Sequence, residues 1–226
     1  MIIKAFIPFS SSYRDDKSSL EQRAKIILGG FSLLERTLIT LSKVNKIQGS
    51  YVFTSDSDLK DSISKSTDFN LLHRDKYLDK PDTTIELIIE SFIEKVDVDI
   101  IVMINPRKPF LKPETINECI DKVSKGKFDS AFIASKKRKL SWFQGKPLNF
   151  DIKKDTPHLK SLDPVLFEDS TLYVFQKVNF IKSRKRIGKN PFIKELGHFE
   201  NFEVDKEDDR KIAELIVNSG LDKEIT

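Results

Sequence analysis

Apolar positions arrive along this chain in short blocks, and their spacing switches between a strand's and a helix's from one block to the next. Residues 1–9 form a largely apolar run with β-branched side chains, closed by Pro8 and a row of serines. That is the pattern of a buried strand feeding a loop. Over 32–42, Leu33, Leu34, Leu38 and Leu41 recur at helical intervals, with Ser32 placed to cap the helix. Ser50–Thr54 predicts a second strand, after which Ser57 or Asp58 could cap a short helix, and Asn70–His73 predicts a brief third strand. Residues 83–95 predict an amphipathic helix, with Ile85, Ile88, Ile89, Phe92 and Ile93 on one side. Residues 98–104 are the most apolar strand and are expected at the centre of the sheet. Pro113–Ser124 follows as a helix with proline in its first turn, and 130–134 as another strand.

Strands alternating with helices demand an α/β fold of three layers, a mostly parallel sheet with helices on both faces. Ligands of such sheets sit at the carboxyl ends of the strands. Residues 8–16, 54–58, 73–82 and 105–112 should therefore converge on one cleft. The rhythm breaks over 136–166, which carries Lys136-Lys-Arg-Lys139, then Trp142, Phe143 and Pro147, with no clear period. A stretch this long is expected to be functional or paired with something. A strand returns at 171–175, a basic loop follows at 184–191, and a short strand is expected at 202–204 before a helix starting near Lys206. The expectation is one domain, 1–226, with an excursion.

Composition narrows the class. The 226 residues are 38% hydrophobic and 33% charged, as in a globular chain long enough to bury a sizeable core. The net charge of +4 is a small difference between 39 basic and 35 acidic side chains. It gives no argument for nucleic acid, although local basic patches could serve a phosphate-bearing small molecule. One cysteine, Cys119, excludes internal disulfides, suits a reducing compartment, and lies where a buried small hydrophobe is expected. The apolar runs are too short for a membrane span, and the first residues lack a signal peptide's features. A cytoplasmic setting, with no membrane partner, is the expectation.

Candidate chemistry lies in the loops. In Phe202-Glu-Val-Asp205 two carboxylates stand at i and i+2. Strand alternation puts Glu203 and Asp205 on the same side, where they could grip one hard cation or simply face solvent. Glu207, Asp208 and Asp209 are read as partners of the helix dipole. The loop from Phe9 to Gly30 is rich in hydroxyls and cations, among them Ser10, Ser11, Ser12, Tyr13, Arg14, Lys17, Arg23 and Lys25. Such a loop could wrap a triphosphate or be ordinary surface. It has neither Walker spacing nor a dinucleotide fingerprint. The three histidines are far apart and read as ordinary, and Trp142 as a packing or interface residue.

Six segments in order resemble the acylneuraminate cytidylyltransferases, the CMP-sialic acid synthetases and their relatives. Gly29-Gly-Phe-Ser-Leu-Leu-Glu-Arg-Thr-Leu38 is similar to the family's GGxxLLxxTI, and Tyr51-Val-Phe-Thr-Ser-Asp-Ser-Asp-Leu59 to its VVVSTDDxxI. His73-Arg-Asp-Lys-Tyr-Leu-Asp-Lys-Pro-Asp-Thr-Thr84 resembles the stretch near the base and sugar. Ile104-Asn-Pro-Arg-Lys-Pro-Phe-Leu111 stands where the family has LQPTSPLR, and Phe167-Glu-Asp-Ser-Thr-Leu-Tyr-Val-Phe175 where it has xxNGAIYI. Arg186-Ile-Gly-Lys-Asn-Pro191 leading into Phe202-Glu-Val-Asp-Lys-Glu-Asp-Asp209 resembles the closing SIDIDTxxD.

The resemblance implies a nucleotide-diphospho-sugar transferase-like fold and transfer of CMP from CTP to a nonulosonic acid, with Mg2+ as cofactor. It implies Arg23 and Lys17 as catalytic cations, and Ser10, Ser11, Ser12, Arg14, Arg74 and Asp82 around the nucleotide. Asn105, Arg107, Lys108 and Asp169 would meet the anionic sugar, while Glu203 and Asp205 would hold the metal. It also implies a homodimer in which 136–166 reaches over the partner. Departures cluster in the cleft. The first-loop glycines are absent, Arg23 stands at the loop lysine, Arg107 and Lys108 replace the Thr-Ser of QPTSP, and Glu203 replaces an aspartate. Two alternatives stay open: a Kdo-type cytidylyltransferase, whose metal-binding aspartate is missing here, and a catalytically silent nucleotide-binding relative.

Overall fold

The computed structural model describes residues 1–9, 25–63 and 68–222. In chain order the elements are β1 (Ile3–Pro8), the short pair β2 (Ile27–Leu28) and β3 (Phe31–Ser32), α1 (Leu33–Ser42) and β4 (Ser50–Thr54). Then come β5 (Asn70–His73), α2 (Ile85–Lys95), β6 (Ile100–Ile104), α3 (Pro113–Ser124) and β7 (Ser130–Lys137). The chain closes with β8 (Trp142–Phe143), β9 (Lys146–Pro147), β10 (Val165–Gln176), α4 (Lys177–Ser183), β11 (Pro191–Glu195) and α5 (Glu207–Asn218). Short 3-10 helices occupy Ser57–Ser62, Lys76–Asp79 and Leu159–Ser161.

Seven strands form one sheet in the order β11-β7-β10-β6-β1-β4-β5. β10 runs antiparallel to both its neighbours, and the remaining pairings are parallel. The expected α/β architecture is therefore present, with β6 as the middle strand. All five of its residues are buried. Alternation divides them between the two faces of the sheet. Ile100, Val102 and Ile104 join a core with Leu34, Leu38 and Leu41 of α1 and Ile116, Cys119 and Ile120 of α3. Ile101 and Met103 join the opposite core with Ile89 and Phe92 of α2 and Phe180 of α4. Phe6 stacks on Phe92 at 4.3 Å between ring centroids. Burial also pushes the Cys119 thiol up to about 12.

Local chemistry sets the helix ends. Ser32 accepts from the N–H of Glu35 at 3.1 Å, and Glu35 accepts from the N–H of Ser32 at 2.7 Å, a reciprocal capping box. The turn between β2 and β3 is Gly29 and Gly30, both at positive φ, as a tight two-residue hairpin requires. After β4 the cap is Asp56, which accepts from the N–H of Asp58 at 3.0 Å, not Ser57 or Asp58 as expected. Lys112 gives α3 no side-chain cap. Glu200 supplies one from a distant loop, accepting from the Lys112 N–H at 3.0 Å and the Thr115 hydroxyl at 2.7 Å.

Three expectations need correction. Residues 202–204 form no strand; the seventh strand is β11, in what reads as the basic loop and its sequel. Phe202 and Val204 insert into a satellite core with Leu28, Phe110, Phe199 and Ala213, which fixes the segment by side-chain packing instead of a ladder. The excursion 136–166 is not aperiodic at its ends. Lys137 pairs with Val165 and Lys136 with Leu166, so β7 and β10 continue as an antiparallel ribbon. At its tip, β8 and β9 make a small hairpin on which Trp142 and Phe143 are 55% and 63% exposed.

Candidate functional site

The carboxyl ends of the parallel strands do come together. The Phe9 N–H donates to Phe53 O at 2.9 Å and the Arg74 N–H to Thr54 O at 2.7 Å, tying the ends of β1, β4 and β5. Asn105, just past β6, donates from its N–H to Thr171 O at 2.8 Å and from its side chain to Ser170 O at 2.7 Å. These bonds join the end of β6 to the bend of β10, where the register shifts between Glu168 and Tyr173.

Three cations mark this edge, and each is held differently. Arg74 has a side chain only 1% exposed and pairs with Asp79, which also receives the Ser55 hydroxyl. Its guanidinium lies 5.8 Å from the Phe53 ring centroid. Lys108 is sealed as well, its side chain 1% exposed against Asp169 Oδ2 at 2.8 Å. Its ammonium also reaches Asn201 O at 2.8 Å and Asn201 Oδ1 at 3.2 Å. Three acceptors thus meet the three donors of an ammonium. Asp169 in turn accepts from the Thr171 N–H at 2.9 Å.

Arg107 lies between these extremes. One terminal nitrogen is 2.9 Å from Glu203 Oε1 and the other 3.2 Å from Asp205 Oδ1, with the arginine side chain 20% exposed. Its N–H donates to Asn105 O at 2.8 Å, and its carbonyl accepts from the Val204 N–H at 3.0 Å. The buried Arg107 Nε makes no hydrogen bond among the described residues. Because Phe202 and Val204 point into the satellite core, Glu203 and Asp205 face the other way. The expected i, i+2 pairing of carboxylates therefore holds without a strand. Asp209 accepts from the N–H of Asp205 at 3.1 Å and of Lys206 at 2.8 Å, closing the start of α5.

Of the expected site residues, Asn105, Arg107, Lys108, Asp169, Glu203 and Asp205 form one connected cluster. Arg74 sits in its own buried pair, and Asp82 is exposed in the turn before α2. Ser10, Ser11, Ser12, Arg14, Lys17 and Arg23 lie outside the described residues. Sequence reasoning missed Asn201 and Ser170; only their place next to the motif residues could have drawn attention to them.

The donor set at Glu203 and Asp205 fits a hard divalent cation, since both offer carboxylate oxygen on one side of the chain. Among the described residues no group of three His, Cys, Asp or Glu side chains could hold a metal. A magnesium ion there would draw its other ligands from water and substrate phosphates, its usual habit. No helix of the described residues is long and apolar enough to cross a membrane.

No protein-family model matches this sequence, and no curated protein matches it. Solved structures do. The CMP:2-keto-3-deoxy-manno-octonic acid synthetase, solved in complex with CTP, superposes with a TM-score of 0.70 at 12% identity, over 97% of this chain and 100% of that one. The 4-diphosphocytidyl-2C-methyl-D-erythritol synthase of Anaerococcus prevotii gives 0.63 at 18% identity, over 96% of each chain. Another synthase of that name gives 0.66 at 13% identity, over 96% of this chain and 98% of that one. The chain shares the fold of these synthetases over 96–97% of its length.

Proposed function

We propose that this chain is a cytidylyltransferase that moves CMP from CTP to a hydroxyl of an acidic sugar and releases pyrophosphate. The observation that carries the reading is the cluster of Arg107, Glu203 and Asp205 beside Asn105 and Asp169, at the strand ends where such sheets bind ligands. Its support in structure is a fold shared with two kinds of synthetase whose names specify cytidylyl products. The acceptor favoured by sequence resemblance is a nonulosonic acid. A 2-keto-3-deoxy-manno-octonic acid is the second reading, favoured by the 0.70 superposition on the synthetase that uses it.

In the reaction the acceptor's oxygen attacks the α-phosphorus, the bond to the bridging oxygen breaks, and pyrophosphate leaves as the hydroxyl proton passes to solvent. The protein's task is to position reactants and to spread charge on the leaving group. Arg23 is assigned to the α-phosphate, Lys17 and Arg14 to the β- and γ-phosphates, and Ser10, Ser11 and Ser12 to donor contacts with the nucleotide. Asp82 is assigned to the nucleotide's base side, with Arg74 bracing the strand ends beneath it. Glu203 and Asp205 would hold magnesium, and Arg107 with Asn105 would face the acceptor's carboxylate. Lys108 and Asp169 brace that wall from behind. When bound, the metal would neutralise triphosphate charge and make the acceptor hydroxyl easier to deprotonate. We further assign a cytoplasmic setting and a homodimer. The dimer is supported by the exposed Trp142, Phe143, Leu148 and Ile152 on the excursion.

The test is pyrophosphate release from CTP with a panel of sugar acids. Asp205→Ala should lose at least about 100-fold in rate, about 2.7 kcal/mol of transition-state stabilisation. Asp209→Ala, at the helix start, should keep most of it. Equal losses in both variants, or no turnover with any acid, would overturn the assignment.

A further inference from the structure

We infer, building on the metal role proposed for Glu203 and Asp205, that Arg107 is a positioning residue that serves as a displaceable internal counter-cation. In the resting chain it sits on both carboxylates; a divalent cation must displace it, and the freed guanidinium then becomes a receptor for the acceptor's carboxylate.

The grip is two-pronged: separate terminal nitrogens meet Glu203 at 2.9 Å and Asp205 at 3.2 Å. A guanidinium is a planar fork of fixed geometry, so one arginine can neutralise two carboxylates that a point charge could not span. The main chain aims the fork, because Arg107 is bonded to Asn105 on one side and to Val204, between the two acids, on the other. A divalent cation bound by the same oxygens would stand within a few ångströms of this charge. Like charges at that distance repel, so the two cations compete for one seat.

Exposure separates Arg107 from the sealed cations Lys108 and Arg74, whose side chains are 1% exposed. Lys108, the next residue, is 1% exposed and has acceptors for all its donors. Arg107 keeps 20% of its side chain exposed, and its buried Nε lacks a partner among the described residues. Its present seat therefore leaves donor capacity unused. An acceptor carboxylate offers a bidentate partner of the shape a guanidinium prefers. Competition at one end and recognition at the other make the two events cooperative. By linkage, whatever factor the metal adds to acceptor affinity, the acceptor adds to metal affinity.

The experiment is a Mn2+ titration of the full chain, with and without CTP, following free Mn2+ by electron paramagnetic resonance. Wild type is compared with Arg107→Gln, Arg107→Lys and Asp205→Asn, each checked for folding by circular dichroism. Arg107→Gln should bind Mn2+ roughly 5–150-fold more tightly than wild type, the usual range of a coupling between sites. Arg107→Lys should fall between, because one ammonium cannot cover both carboxylates. It also carries the test should the glutamine variant fail to fold. Equal affinity in wild type and both Arg107 variants, with binding lost in Asp205→Asn, would overturn displacement while leaving the metal role intact. Failure of every variant to hold Mn2+, with or without CTP, would remove the metal role and this inference together.

Discussion

Lys108 and Arg107 are adjacent in sequence, both cationic and both paired with acids, yet they do opposite things. Lys108 points into a closed cage of Asp169 and Asn201 that satisfies its whole ammonium. Arg107 lies at the rim, on Glu203 and Asp205, with a donor unused. At the far side of the cleft, Arg74 is sealed in the same way against Asp79, although its buried Nε, like that of Arg107, has no partner among the described residues. The difference teaches that charge at a strand end is not by itself a ligand site. A sealed cation braces the fold, because removing its partner leaves a charge in low dielectric. An open one, with part of its side chain in water, can change partners at small energetic penalty. The strand ends thus combine two rigid braces with one exchangeable contact.

That contrast can be broken by substitution. Arg74→Leu removes the cation paired with the buried Asp79 carboxylate, which keeps the Ser55 hydroxyl, and should cost about 3–5 kcal/mol of stability, read by chemical denaturation. A loss below about 1 kcal/mol would mean that Arg74 is not a brace. Lys108→Met removes a charged hydrogen-bond donor from a wall that keeps a little more contact with water, so about 1.5–3 kcal/mol is expected from the same measurement. Asp209→Ala sharpens the comparison from outside. It removes an acceptor for two N–H groups at the start of α5 and should cost about 0.5–2 kcal/mol. Arg107→Gln should move stability by at most about 1 kcal/mol, as befits a partly exposed pair.

The smallest expected effect lies at the surface pair of Lys46 and Asp121, 2.5 Å apart. The hydrogen bond from Lys46 holds the Asp121 carboxyl below its ordinary 3.8. A lowered folded-state value means stabilisation that is full above 3.8 and fades as pH falls through the lowered value. With both side chains more than a third exposed, it should be no more than a few tenths of a kcal/mol. Comparing acid unfolding of wild type and Lys46→Met below pH 4 would detect it.

Much of the scaffold could be read from the chain because its signals are local. β4, β5 and α3 have the expected bounds, and β6 its expected central place, since apolar runs and a first-turn proline act within a few residues. What could not be read depends on distant partners. β11 begins with Pro191 and carries Lys194 and Glu195, a mixed pattern that becomes a strand only because β7 offers a parallel edge. Residues 202–204 look like a strand, but Phe202 and Val204 find a core pocket beside Phe110 instead of a ladder. In the site, pattern alone put Glu203 and Asp205 on one side. It could not tell that Arg107 covers them while Lys108 turns inward, because burial depends on Asn201 and Asp169, each more than 60 residues away.

The insertion of β10 between β6 and β7 also governs the order in which the sheet can be completed. Residues through α3 contain β5, β4, β1 and β6, which already pair with one another. β7 is made next, yet its partners in the sheet among the described residues, β10 and β11, both follow it in the chain. During synthesis β6 therefore carries an open apolar edge, and β7 has no neighbour, until residues 165–176 arrive. An open edge of that kind invites pairing with other chains. The wall bearing Asn105, Arg107 and Asp169 closes only with that late strand, so the candidate site is among the last parts of the molecule to exist.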